Sequence, residues 1–388
     1  MFFRVSAWLI NNLSMAFIGF WSIAIIVAVS NIATMPILKA GAPRKGKKLS
    51  IMVPARNEER NIERCVRSLL DQDYEDYELI VLDDNSTDAT GDILDRISKE
   101  NPRLKVIKGT PLPEGWLGMN WACLQLARAS TGEILMFVDS DTWHERSSAS
   151  ATVSVFENSK AGLVSGVTRQ RYGGFLEMMP VMIMPWGMIS LMPLYFMYHL
   201  KTSLLAIAAG QYMCFKRDDY FRIGGHEAVK AKADLDKELA KIAKRKGVRI
   251  MMVDATNTVS CRMYHNLKES FLGFSKNVFS AFDFKLVQSA GTWIGITICI
   301  LSPIAYVVTG RFNIEDPLTV LSLAQIAMAL FLWGLILLKA KLPLYWALLY
   351  PIIMLTWVGV GFNSMYQAIF GNSSWKGRNM PKPRVRLI

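Results

Sequence analysis

Two short acidic runs each follow a stretch of apolar residues: Asp83-Asp84 after YELIVL, and Asp139-Ser140-Asp141 after EILMFV. An apolar run that ends abruptly in acids reads as a buried strand opening into a cleft. In an extended segment residues two apart point the same way, so Asp139 and Asp141 are expected to share one ligand. Clustered carboxylates repel one another, and hard oxygen donors suit Mg²⁺ or Mn²⁺ as the counter-charge. Such a cation keeps waters and bridges to substrate phosphates. A single acidic run is equally well explained as a cap on the following turn, as Asp88 is placed to be. Two runs on successive units argue for a phosphate-handling site. Other metal chemistry drops out: His144, His199, His226 and His265 show no HxxxH spacing, and the five cysteines form no CxxC pair.

The acids need elements to hold them, and residues 40–289 alternate between strand and helix patterns. LSIMVPA (49–55) reads as a buried strand ending at Pro54, followed by a helix over 61–72 with Ile62, Cys65, Val66, Leu69 and Leu70 on one face. Further strands are expected over 77–84, 104–109 and 133–141, with helices over 89–100 and 120–129. The pattern predicts an α/β domain with a doubly wound, mostly parallel sheet whose ligands lie at the carboxyl ends of the strands.

The remainder is too apolar for an ordinary soluble enzyme. Of 388 residues 52% are hydrophobic and 20% charged, against about 45–50% and 25% for soluble domains. Residues 15–38 carry no charge and are long enough to span a bilayer as a retained anchor. Lys39, Arg44, Lys45, Lys47 and Lys48 follow, which places residue 40 onward in the cytoplasm. Three more uncharged stretches, 291–310, 318–338 and 344–371, precede a tail containing Lys376, Arg378, Lys382, Arg384 and Arg386. Three full crossings would strand that basic tail outside. One segment is therefore expected to be interfacial or re-entrant, with the tail cytoplasmic. The spans carry no ionisable residue, which disfavours an ion or proton pathway. The net charge of +12 suits an anionic membrane surface, with the hydropathy arguing against nucleic acid. Residues 176–199 hold seven methionines with Pro180, Pro185 and Pro193, and read as core, as a fifth span, or as short interfacial helices admitting a lipid.

The segments VPARNEERNI, VLDDNSTDAT, GWLGMNWACLQLA, MFVDSD, AGQYMCFKRDDYFRIGGHEAV and GFSKN stand in an order that resembles the membrane-bound family-2 glycosyltransferases, over about residues 48–282. The likeness is greatest to bacterial enzymes that glycosylate carotenoid, hopanoid or similar lipids. It implies a GT-A fold in a cytoplasmic domain (40–289) between an N-terminal anchor (1–39) and C-terminal membrane segments (290–371), with a basic tail (372–388). It also implies a multi-pass protein of the inner membrane. Pro54, Ala55 and Glu58 would line the nucleotide pocket with Asp84 on the base, while Asp139 and Asp141 would hold Mg²⁺ or Mn²⁺ beside the donor diphosphate. Counting back from ELAKIAKRKG (238–247) puts the general base at Asp236, with Asp234 as its substitute; Leu235 stands where the family commonly has Glu. Gly210, Gln211, Gly225 and His226 would border the acceptor, although paired glycines equally mark a tight turn.

Met119 replaces a Lys usual in the family, and Lys216, Arg217 or Lys276 are the candidates for compensating charge. The motif SSWKGR (373–378) is shared with lipid-acceptor enzymes and equally suits a membrane-interface anchor. The implied reaction is inverting transfer from a nucleotide-sugar, a UDP-sugar before others, to a hydroxyl or carboxyl of a membrane lipid. A processive polysaccharide synthase is the rival, disfavoured by the missing QxxRW; a non-catalytic nucleotide- or lipid-binding protein is another. Nothing in the sequence fixes an oligomeric state.

Overall fold

The computed structural model describes residues 2–309, 313–371, 374–376, 378–379 and 382–388. Helix α1 (Phe2–Thr34) leads into β1 (Leu49–Ala55), α2 (Ile62–Leu70), β2 (Tyr77–Asp83), α3 (Thr90–Glu100), β3 (Leu104–Lys108), α4 (Gly118–Ala129) and β4 (Ile134–Val138). Every residue of β1 and β4 is buried, as expected for strands covered on both faces. The second half adds β5 (Thr142–His144), α5 (Ser148–Glu157), β6 (Leu163–Val167), β7 (Arg169–Gln170), α6 (Phe175–Val181), α7 (Ile183–Ser190) and α8 (Leu194–His199). Then follow β8 (Tyr212–Lys216), α9 (Arg217–Ile223), α10 (Leu235–Arg245), β9 (Ile250–Asp254), β10 (Val259–Cys261) and α11 (Leu267–Ser275). Helices α12 (Leu286–Val308), α13 (Pro317–Ala340) and α14 (Tyr350–Phe370) and a short ribbon, β11 (Ser374–Trp375) and β12 (Arg378–Asn379), complete the chain.

The main sheet has seven strands in the order β3-β2-β1-β4-β8-β6-β9. All run parallel except β8, which is antiparallel to both β4 and β6. The doubly wound, mostly parallel sheet read from the sequence is therefore present. A smaller sheet, β5-β10-β7, stands at the carboxyl end of β4. One expectation fails there: β4 stops at Val138, and Asp139 to Asp141 form a turn closed by the Thr142 N–H on the Asp139 carbonyl (3.1 Å). The Thr142 hydroxyl donates to the same carbonyl at 2.7 Å, so two bonds hold the turn and the acids do not continue the strand.

Four helical stretches, Asn11–Thr34, Leu286–Val308, Pro317–Ala340 and Leu344–Phe370, are long and apolar enough to cross a membrane. Their junctions with the sheet domain are polar and specific. After α1, the Asp254 N–H donates to the Pro36 carbonyl (2.7 Å) and the Leu38 N–H to the Asp254 carbonyl (3.0 Å). Lys339, at the end of α13, pairs with the Asp254 carboxylate at 2.7 Å. Asn31 near the end of α1 staples the Met-rich region: its amide donates to the carbonyls of Ile189 (2.8 Å) and Met192 (2.7 Å) and accepts from the Leu194 N–H (2.9 Å). That region forms the three short helices α6 to α8. Met178, Met179 and Met182 pack with α1 and α13, whereas Met197 packs under the sheet.

Helix α14 differs from its neighbours because it is bonded to the sheet domain along its length. Trp357 donates to the Pro180 carbonyl (2.6 Å), Asn363 to the Ser275 hydroxyl (2.9 Å), and the Ser364 hydroxyl accepts from the Phe279 N–H (2.9 Å). Before it, Trp346 stacks on Phe175 at 4.4 Å; beyond it, Lys376 reaches the sheet domain and Arg386 pairs beside the start of α12. Both ends of 344–370 thus lie on the domain side.

Candidate active site

The carboxyl ends of β1, β2 and β4 open into a cavity of about 980 Å³, closed on its other sides by α4, residues 232–236, residues 263–265 and α11. The β1 and β2 edges are built as one unit. Asn57 adopts a left-handed backbone (φ 52°); its N–H donates to the Ser86 hydroxyl (3.0 Å) and its side-chain oxygen accepts from the Thr87 N–H (2.8 Å). The Glu58 N–H donates to Thr90 Oγ1 at 2.7 Å. Asp88 accepts from the Glu59 and Thr90 N–H groups, so it is the turn cap expected of it.

The two acids of the first run separate by role. Burial opposes ionisation of Asp83, but Lys108 at 2.7 Å and Ser86 overcome it and hold the carboxyl below its usual range. Asp83 thereby ties β2 to β3. Asp84 lines the cavity with Pro54, Ala55 and Glu58, and the four expected nucleotide-side residues are brought together.

Asp139 and Asp141 face the same cavity from the turn after β4. Cys261 donates its thiol to Asp141 Oδ1 at 3.3 Å, and the Arg262 N–H donates to the Asp141 carbonyl at 3.1 Å. Burial, then the neighbouring charges of Asp141, Asp236 and Glu58, hold Asp139 well above the ordinary carboxyl range. Burial and then Glu58 push Asp141 up to about 6. Among the described residues neither makes an ion pair at salt-bridge distance. The donors are all hard oxygens in carboxylates short of counter-charge, a set that fits a divalent cation. No group of three or more His, Cys, Asp or Glu among the described residues could hold a metal alone, so phosphate oxygens or water would have to complete the shell.

The expected base is at the opposite wall. Asp236 sits in the first turn of α10, where its Oδ1 accepts from the Lys237 N–H (2.8 Å) and its Oδ2 from the Gly210 N–H (3.1 Å). Burial nonetheless raises its pKa above the ordinary range. Asp234 also lines the cavity but is drawn towards Lys237 Nζ at 3.7 Å.

The expected acceptor residues divide. Gly210 and His226 line the cavity; Gln211 and Gly225 do not. Gln211 is buried, accepting from the Thr168 hydroxyl and from Gln170 (3.0 Å). Gly224 and Gly225 have φ of 92° and 49°, and a Cβ on Gly225 would lie 2.4 Å from the Tyr220 ring. The pair is a tight turn ending α9. His226 bonds Tyr220 OH through Nδ1 (2.8 Å), and burial lowers its pKa to about 3, which keeps the ring neutral.

Neither Lys216 nor Arg217 borders the cavity; Arg217 donates instead to Ser130 (3.1 Å). Lys276 does border it, and so does Lys376 from the tail. Two features were not read from the sequence. Asn120, next to Met119, donates from Nδ2 to the carbonyls of Val229 (2.7 Å), Lys232 (3.0 Å) and Lys230 (3.2 Å). It thereby ties α4 to the segment carrying Asp234 and Asp236. Tyr264, His265, Leu272 and Phe274 form the wall nearest the apolar helices, while residues 176–199 do not line the cavity. The apolar side chains bordering the cavity on this side come from α11 and not from the Met-rich segment, and Phe274 packs on Tyr264 (5.3 Å) and on Trp357 of α14 (5.2 Å).

Residues 50–223 match the family described as glycosyl transferase family 2. The chain is 26% identical over 248 residues to a 4,4'-diaponeurosporenoate glycosyltransferase of Staphylococcus haemolyticus, an alignment covering 59% of this chain and 60% of the relative. It is 34% identical over 118 residues to a beta-monoglucosyldiacylglycerol synthase of a Nostoc species, covering 30% of this chain and 25% of the relative. The chain thus spans less than two thirds of the length of these relatives. In fold it is similar to a mannosyltransferase from Pyrobaculum calidifontis solved in complex with GDP-Man and Mn²⁺, with a TM-score of 0.55 and 18% identity over 93% of this chain and 98% of that one. The ordered motifs, the seven-stranded sheet and the family match agree: residues 50–223 match glycosyl transferase family 2, and the domain that carries them has the GT-A fold.

Proposed function

We propose that this protein transfers a sugar from a nucleotide-sugar to a lipid held in the membrane, with inversion at the anomeric carbon. The observation that carries the reading is convergence. Carboxylates from three separate parts of the chain (Glu58 and Asp84, Asp139 and Asp141, Asp234 and Asp236) meet in one cavity at the strand ends, and its remaining wall rests on the apolar helices. Pro54, Ala55, Glu58 and Asp84 would hold the nucleoside. Asp139 and Asp141 would hold Mg²⁺ or Mn²⁺, which when bound offsets charge on the departing diphosphate.

Asp236 is the base of choice over Asp234. Its two backbone bonds fix the carboxylate in place, and its raised pKa brings it nearer the working pH, as a general base requires. It takes the proton of the acceptor oxygen as that oxygen bonds to the anomeric carbon and the bond to the diphosphate breaks. One base and one displacement give inversion. The relatives' names, a diaponeurosporenoate glycosyltransferase and a glucosyldiacylglycerol synthase, favour an apolar acceptor. It would approach past Leu272 and Phe274 of α11. The five basic residues after α1 favour a domain on the cytoplasmic side.

Full-length protein in detergent, offered UDP- and GDP-sugars with Mn²⁺ or Mg²⁺, should release nucleoside diphosphate only when membrane lipid is added, with a lipid product heavier by one sugar. Products carrying long sugar chains would reverse the reading in favour of a polysaccharide synthase. Absence of both release and nucleotide binding would overturn the enzyme reading.

A further inference from the structure

We infer that Lys376, at the tip of the C-terminal ribbon, is the cation that binds the donor diphosphate, supplying from the tail the charge that Met119 does not supply from α4. This deepens the donor reading above and rests on it. Lys376 lies in the two-residue gap between Ser374–Trp375 and Arg378–Asn379, which pair antiparallel, and has a left-handed backbone (φ 47°). A non-glycine residue in that region costs energy and is kept where surroundings enforce it. The enforcement comes from the site itself: Arg56 Nε donates to the Lys376 carbonyl at 3.1 Å, while Arg56 Nη1 holds the carbonyls of Asp84 and Asn85.

The ammonium is placed inside the cavity, 3.1 Å from Glu58 Oε1 and 2.7 Å from the Asn57 carbonyl. Glu58 belongs to the nucleoside side of the cavity, and the field of Lys376 also reaches Asp141 on the cation side, where it favours the ionised carboxylate. A diphosphate joining those two sides must pass this position. A second ammonium, Lys276, is near enough that Lys376, after burial, helps depress its pKa. The guanidinium groups on the wall are engaged: Arg56 as above, and Arg60 with Glu269 at 3.8 Å. Without donor, Lys376 rests on Glu58. With donor, phosphate oxygens replace that carboxylate, and a charge-assisted bond forms between Nζ and the diphosphate.

The test is titration of UDP and GDP, each with Mn²⁺, into full-length wild type, Lys376→Ala and Lys376→Arg in detergent, with UMP and GMP in parallel. The alanine variant should bind the preferred diphosphate at least tenfold more weakly and its monophosphate within about threefold of wild type, with arginine restoring most of the loss. Adding Met119→Lys to Lys376→Ala should recover diphosphate binding in part, and a Tm unchanged within a few degrees would show that folding is intact. Equal loss of mono- and diphosphate would mean that Lys376 only props the Asn57–Glu58 loop; no loss of either would mean that it stands outside the donor site. Both results overturn the inference and leave the donor reading standing. A wild type that binds neither diphosphate overturns the donor reading, and this one with it.

Discussion

At the residue scale, the proposed mechanism gives Asp236, Asp139 and Asp141 of the cavity separable functions. Asp236→Asn keeps the shape of the wall and loses the base, so kcat should fall by about 10²–10⁴ while donor KM stays within about threefold. Steady-state kinetics with saturating lipid measures both; a fall confined to KM would move the base elsewhere, with Asp234 next in line. Asp141 carries a pH signature as well. Its carboxyl titrates at about 6 in the fold against about 3.9 in an unfolded chain. Between those values the folded state holds a proton that the unfolded state has released, so metal-free stability falls as pH rises from about 4 to 6 and stays lower above. A bound cation relieves that repulsion only once the proton is gone. Mn²⁺ should therefore raise Tm more at pH 7.5 than at pH 5, and Asp141→Asn should unfold at a higher temperature without metal and respond little to Mn²⁺. Equal stabilisation of the wild type at both pH values would remove Asp141 from the cation site.

At the element scale, Asn120 holds the catalytic wall in register. Its single amide donates to three carbonyls of residues 229–232, two of which also accept from a backbone N–H (Lys232 on Val229 and Leu117 on Lys230, both 2.8 Å), and a carbonyl left without a donor costs about 1–3 kcal/mol. Asn120→Ala should destabilise the protein by about 1–2 kcal/mol. Hydrogen exchange should quicken in residues 229–237 before the sheet, with kcat falling more than donor affinity. Uniform loss of protection would make Asn120 a general core residue. The same elements mark how far sequence reasoning reaches. Strands β1, β2 and β4 were legible because their faces are buried and a Pro or Asp stands at or beside each carboxyl end: Pro54 in β1, Asp83 in β2 and Asp139 just after β4. The two- and three-residue strands β5, β7 and β10 were not, since no periodicity fits in so few residues and only pairing with distant partners defines them. The acids of the second run were identified while their backbone was not, because the bonds from Thr142 that curl it are local details of a turn. Gly225 was read as acceptor wall, whereas the φ of the glycine pair and the Tyr220 ring beneath it explain it as a turn. Lys376 stood in a motif noted from the sequence, but its partner Asn57 is 319 positions away, a distance that only the folded chain closes.

At the scale of the whole molecule, the helices and the cavity favour the membrane arrangement we propose. Helix α1 ends at the sheet domain, α12 leaves it after Phe284, and α13 returns where Lys339 meets Asp254. Helix α14 is apolar enough to cross, yet Trp357, Asn363 and Ser364 bond it to the domain, and the chain beyond it enters the active-site cavity. We propose three crossings and one interfacial helix, an arrangement that would reconcile an odd number of apolar C-terminal segments with a basic tail on the cytoplasmic side. In that arrangement a soluble donor and a membrane acceptor could share a base: α14 would carry α11 at the membrane surface, and α11 is the apolar wall of the cavity. The five native cysteines are buried, so single reporter cysteines can be introduced against a quiet background. Lys99→Cys on the sheet domain, Ile314→Cys between α12 and α13, and Lys382→Cys in the tail should separate into two groups when vesicles of known orientation meet an impermeant maleimide. Positions 99 and 382 should label together in inside-out vesicles, with 314 labelling only in right-side-out ones. Labelling of 382 with 314 would make α14 a true crossing, a topology in which Lys376 could not reach Asn57, and the tail's part in the donor site would fall with it.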